Sequence, residues 1–144
     1  MKTSSVLRPE NIILDLVAET KEDLINELAE KLNKNGYLHD LKQFKQDIWV
    51  REDQVPTEVG FGIAIPHAKS AAVKSPAIIM GRSLSGIKYS SEKCNLFFMI
   101  AASKDSSTEH LKTLSKISTF LMEETFRAKL ILAKDSHEVV QLFA

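Results

Sequence analysis

The sequence predicts one α/β domain spanning 1–144, a mixed β-sheet with helices covering both of its faces. Three observations lead there. The chain has 144 residues, 44% of them hydrophobic and 26% charged, enough for one core that hides roughly 68–70% of the unfolded surface and short for two. Two capped amphipathic helices are written into the stretch from Thr20 to about Asp53. Segments of strand character then interleave with further helical periodicity, the arrangement that buries a sheet between helix layers. Strand order does not follow from pattern alone.

Residues 11–16, Asn-Ile-Ile-Leu-Asp-Leu, read as a short first strand. Thr20 with Asp23 three residues on makes a capping-box start, and Leu24, Ile25, Leu28, Ala29 and Leu32 share one helical face until Gly36 stops the helix. Asp40 with Gln43 starts a second helix carrying Leu41, Phe44 and Ile48, which should end near 51–53. Residues 55–60 look turn-like. Phe61, Ile63 and Ile65 then alternate with Gly62 and Ala64, which predicts a strand whose small face lets another backbone or helix come close. Pro66 should end that strand's ladder. Residues 77–84 and 96–102 are further strands, the second apolar throughout and therefore central, with Gly86 marking a turn before a short strand near 88–89. After the polar loop at 103–107, Leu111, Leu114, Ile117 and Leu121 restore helical spacing, with His110 in the first turn. A weaker helix covers 125–133, and Asp135 with Glu138 starts a last short one.

Nineteen basic and nineteen acidic residues cancel, so the chain lacks the basic balance expected of a nucleic-acid binder. The acidic excess lies in 1–60 and the basic excess in 61–144, a mild split that reads as solvated surface or, less simply, as a preference of the second half for an anionic ligand or partner. One cysteine, Cys94, excludes an internal disulfide and points to a reducing compartment, the cytoplasm. The first fifteen residues carry Lys2, Arg8, Glu10 and Asp15, which does not fit an export signal. The longest wholly apolar run, 96–102, is far short of the roughly 20 residues that span a membrane.

Chemistry near neutral pH falls to four histidines: His39, His67, His110 and His137. His39 and His137 read as surface residues. His67 follows a strand and a proline; Pro66 has no amide hydrogen and forces Ile65 into an extended conformation, which presents the imidazole at a sheet end with Gly60 and Gly62 just upstream. That position suits ligand chemistry and equally suits a capped turn histidine. His110 is either an exposed first-turn residue beside Glu109 or a ring kept neutral by the positive end of a helix. No two histidines are closer than 27 residues, so no metal is expected. The usual phosphate-loop, dinucleotide and serine-elbow motifs are absent. Cys94 reads as a small buried hydrophobe.

The stretch Arg51-Glu52, Pro56-Thr57 and Gly60-Phe61-Gly62-Ile63-Ala64-Ile65-Pro66-His67 resembles the signature of the enzyme IIA domains of the bacterial phosphoenolpyruvate-dependent sugar phosphotransferase system, fructose/mannitol family. The strand at 96–102 followed by His110-Leu111-Lys112-Thr113-Leu114 is similar to a second segment of that family, and nearly the whole chain is covered. The resemblance implies that His67 carries a phosphoryl group, that His110 is a second active-site histidine, and that Arg51 helps bind phosphate or shape the partner surface. It implies a donor, the histidine-containing phosphocarrier protein, and an acceptor, a cysteine of a cognate enzyme IIB, with no cofactor. Cys94 lacks the setting of that cysteine. A fructose-class transport role is the first expectation and a nitrogen-type regulatory module the alternative. Glu58 and Val59 depart from the family pattern of Gly followed by Ile or Leu, and Phe61 with the 55–59 loop offers apolar partner contacts.

Overall fold

Sequence-local capping positions the first two helices. In the computed structural model, which describes residues 7–104 and 107–143 without the side chains of 107–111, Thr20 Oγ1 accepts the Asp23 amide at 3.1 Å and opens α1 (Lys21–Lys34). Asp40 Oδ1 accepts the Gln43 amide at 3.1 Å and opens α2 (Leu41–Gln54). The buried face of α1 is the expected Leu24, Ile25, Leu28, Ala29 and Leu32, whereas that of α2 is Phe44, Ile48 and a charged residue, Glu52.

The sheet is mixed and six-stranded. Its strands are β1 (Ile12–Ile13), β2 (Glu58–Gly60), β3 (Ile63–Ala64), β4 (His67–Lys69), β5 (Ala77–Lys88) and β6 (Lys93–Ala102), in the order β1-β5-β6-β3-β2 with β4 also paired to β6. β6 is central, as its continuous apolar run predicts. Phe97, Met99 and Ala101 face one core with α1 and α2. Leu96, Phe98 and Ile100 face the other, built with α3 (Ser107–Leu121), α4 (Glu124–Leu132) and α5 (Ser136–Leu142). Helices therefore cover both faces, and period-two alternation along one strand feeds both layers. Asp135 Oδ1 caps α5 through the Glu138 amide at 2.8 Å. No helix among the described residues is long and apolar enough to cross a membrane.

Four local expectations change. The first strand shrinks to two residues: at its start 9–11 form a 3-10 turn in which the buried Asn11 side chain bonds the Tyr37 hydroxyl and Asn35, and beyond its end the Leu14 carbonyl accepts from Arg82 Nε. The turn-like 55–60 segment contributes β2, antiparallel to β3. The alternation from Phe61 onward is mostly the turn between them: Gly60, Phe61 and Gly62 have φ of 93°, 58° and 76°, and Phe61 is 70% exposed. A close approach does occur at Gly62, where an added Cβ would lie 3.3 Å from Asn95 Oδ1. Gly86 does not end a strand but sits at φ 87° where the β5–β6 register slips, and the chain reverses further on, where the Tyr89 amide reaches Glu92 O at 2.9 Å.

Arg82 joins the sheet to the helical layer. Its guanidinium is buried, with Nη1 donating to the carbonyls of Leu130, Ile131 and Ala133 at 3.1, 3.1 and 2.8 Å, and Nε donating to Leu14 O at 3.1 Å. A cation there fills the carbonyls left open at the end of α4.

Candidate phosphoryl-transfer site

Pro66 interrupts the ladder without ending it. Ile63 and Ala64 pair with Leu96 and Phe97, and His67, Ala68 and Lys69 pair with Ile100, Ala101 and Ala102. The offset is the same on both sides, so β3 and β4 are one parallel strand with a two-residue gap at Ile65 and Pro66. His67 is thus the first residue of a resumed strand, not the end of the sheet as the proline suggested. Within the gap the Ile65 amide turns to Thr57 O at 3.0 Å, and Pro66 O accepts the Ile100 amide at 3.0 Å. The Ile65 carbonyl lies 2.6 Å from His67 Nδ1. A carbonyl only accepts, so Nδ1 carries the proton and the lone pair of a neutral ring sits on Nε2. The far end of β4 is pinned to α2 by the Ser70 hydroxyl, which donates to Asp47.

His67 is half-buried, and burial is the main cause that lowers its pKa from the ordinary 6.5. The Ile65 bond opposes that shift, the nearby Arg51 guanidinium adds to it, and Glu52 works against it. The neutral form of the ring is therefore favoured at pH 7. A base with a lowered folded-state pKa costs the fold stability only when it is forced to take a proton, so its contribution is lost as pH falls below 6.5 and is intact above. An NMR titration of the His67 ring should place its midpoint below 6.5; a midpoint above it would contradict the burial argument.

Two clefts, of about 500 and 380 Å³, flank the ring, and both are lined by His67 and Arg51. The larger one also takes in Asp47, Lys69 and Lys104. The smaller one runs past Thr57 and Glu58 to Leu114, Ser115 and Ser118 of α3. Arg51, in the last turn of α2, donates from Nη1 to Val55 O at 3.1 Å. Two of the three expected site residues, His67 and Arg51, are therefore side by side. His110 falls in the first turn of α3, the helix that walls the smaller cleft, but its side chain lies outside the described residues.

Glu58, the departure from the family pattern, is taken up by the turn at 90–92. Its carboxylate takes the amides of Ser90, Ser91 and Glu92 and the Ser91 hydroxyl at 2.7–3.3 Å. Burial opposes its ionisation, yet these bonds outweigh it and hold the pKa below the usual carboxylate value. Cys94 is buried and its thiol is pushed up to about 11, mainly by burial, which suits a packed side chain and not a nucleophile. Among the described residues no group of three or more His, Cys, Asp or Glu side chains could hold a metal ion.

The family model for the phosphoenolpyruvate-dependent sugar phosphotransferase system, EIIA 2, matches residues 5–144. The chain belongs to this family. Its members are phosphotransferase components, and so is this chain. It is 40% identical to the fructose-specific EIIABC component of Bacillus subtilis over 99% of its own length, and it spans 23% of that much longer relative. The complex of enzyme IIA-mannitol with phosphorylated enzyme IIB-mannitol from Escherichia coli matches at 26% identity and a TM-score of 0.83, covering 95% of this chain and 96% of the other. The nitrogen regulatory protein IIA-Ntr from Neisseria meningitidis matches at a TM-score of 0.90 and 24% identity, covering 98% of each chain, which shows a shared fold.

The sequence points to Arg51, His67 and His110 but not to the residues packed next to Arg51 and Thr57. Glu52, Thr57, Lys21 and Tyr89 form a buried polar group there. A signal was present: Glu52 continues the four-residue spacing of Phe44 and Ile48, so a carboxylate occupies a core stripe.

Proposed function

We propose that the protein is a phosphocarrier of a sugar phosphotransferase system, in which His67 accepts a phosphoryl group from the histidine-containing phosphocarrier protein. His67 then passes the group to the cysteine of a cognate enzyme IIB in the cytoplasm, for uptake of a fructose-class sugar. The observation that carries this reading is the His67 ring itself, neutral, lining two clefts beside Arg51, with Nδ1 committed to the Ile65 carbonyl. The Nε2 lone pair attacks the donor's phosphorus, the donor's nitrogen–phosphorus bond breaks, and the donor imidazole leaves with that electron pair. In the second half the acceptor thiolate attacks the same phosphorus, and the bond to Nε2 breaks with its electrons returning to the ring. Such transfer needs alignment and compensation of the phosphoryl charge. Arg51 supplies the charge, and His110 is assigned a supporting contact to the phosphoryl oxygens.

The fructose class rests on the name of the Bacillus relative, and the acceptor on the mannitol complex. The likeness to the nitrogen regulatory protein is one of fold and carries no regulatory reading. Incubation of the chain with phosphoenolpyruvate, enzyme I and the phosphocarrier protein should add one acid-labile phosphate that maps to His67. A chain that stays unlabelled in a relay shown to be active would sink the proposal.

A further inference from the structure

Behind His67 lies a buried charged pair that the transfer chemistry does not itself use. The Glu52 side chain is 1% exposed and its Oε1 is 3.0 Å from Lys21 Nζ, which is itself 19% exposed. Taking two charges out of water is unfavourable unless their remaining hydrogen-bonding capacity is filled. Thr57 reaches both carboxylate oxygens, sharing Oε1 with Lys21. Oε1 accepts the Thr57 amide at 3.3 Å, and Oε2 accepts the Thr57 hydroxyl. That hydroxyl oxygen is also 3.1 Å from the Tyr89 hydroxyl, and the Lys21 ammonium sits 4.3 Å above the Tyr89 ring. Lys21, Glu52 and Tyr89 thus converge on Thr57 from α1, α2 and the end of β5.

Thr57 is one step from the reactive ring. Its carbonyl accepts the Ile65 amide at 3.0 Å, and the Ile65 carbonyl holds His67 Nδ1 at 2.6 Å. The gap that Pro66 opens in the strand leaves Ile65 without its place in the β6 register. The Thr57 contact is what orients that residue from the other side. A ring that loses a fixed carbonyl acceptor redistributes its proton between two nitrogens, and the Nε2–H form has no lone pair where transfer requires one.

We propose that Glu52 is a positioning residue for His67: its carboxylate, held by Lys21, fixes Thr57 and through it the Ile65 carbonyl that selects the Nδ1–H tautomer. The consequence for transfer rests on the phosphocarrier reading; the tautomer does not. Besides its pairing with Lys21, the carboxylate holds both the amide and the hydroxyl of the residue that braces Ile65.

The test uses the full chain with ¹⁵N-labelled histidine at pH 8, where the ring is neutral. Glu52→Leu removes the acceptors but strands the Lys21 charge, so Lys21→Met/Glu52→Leu, which replaces the pair by apolar side chains, is measured beside it. In the folded double variant an Nε2–H population of His67 should become visible. Phosphoryl uptake should slow by about tenfold or more, the scale of a misplaced reacting group. Glu52→Gln keeps one acceptor oxygen and should return the tautomer toward wild type. A wild-type tautomer in the folded double variant overturns the proposal, whatever its thermal stability. If the unmodified chain takes up no phosphate, the phosphocarrier reading fails by itself, and the tautomer populations still decide the role of Glu52.

Discussion

If His67 is the phosphoryl acceptor proposed above, replacing it with alanine should abolish uptake of acid-labile phosphate altogether, because the substitution deletes the attacking atom. His39 and His137 are exposed and line neither cleft beside Arg51, so they offer no alternative acceptor. His67→Gln, closer in shape and still polar, should be equally inactive, which separates loss of the nucleophile from loss of packing around Ala68 and β6. Labelling that persists on another residue in either variant would refute the assignment. His110→Ala should behave differently: the phosphate still maps to His67, but uptake or onward transfer slows, because charge compensation is reduced while the nucleophile remains. Full retention of both rates would remove His110 from the site.

The largest stability effect should come from Arg82→Met. Methionine keeps much of the apolar stem but leaves the carbonyls of Leu14, Leu130, Ile131 and Ala133 without the donors that Arg82 gives them. An abandoned buried acceptor costs roughly 1–3 kcal/mol. With partial relaxation the variant should lose about 3 kcal/mol, or about 10 °C in Tm for a chain of this size. Urea unfolding should show the lower midpoint with an unchanged slope. Arg82→Lys should recover only part of the loss, since a single ammonium cannot reproduce a planar fork serving both sides of the guanidinium. A stability within 0.5 kcal/mol of wild type, roughly the scatter of ordinary surface changes, would show that these carbonyls find other partners.

What the sequence made legible is what local chemistry decides. Thr20 and Asp23, Asp40 and Gln43, and Asp135 and Glu138 cap their helices across three residues, and each cap forms as the spacing predicts. The centrality of 96–102 was legible because only a strand covered on both sides tolerates an unbroken apolar run. The misreadings share a non-local cause. Gly86 resembles a turn residue, yet its position in the β5–β6 slip depends on Lys93 across the ladder. The true reversal, at 90–92, is held by Glu58 from another strand. Phe61 fits an alternating pattern only when the positive φ of its two glycine neighbours is unknown. At the site, Pro66-His67 announced an unusual histidine. It could not announce that the strand resumes in the same register, because that depends on β6.

The gap opened by Pro66 has a consequence for how the His67 imidazole is held. The acceptor that orients the ring is a main-chain oxygen two residues upstream, joined to His67 by the same covalent segment. It carries no net charge of its own and sits at Nδ1, on the other side of the ring from the nitrogen proposed to react. On the phosphocarrier reading, a visiting protein that met the opposite nitrogen would not have to bring, displace or restore the contact that orients the ring.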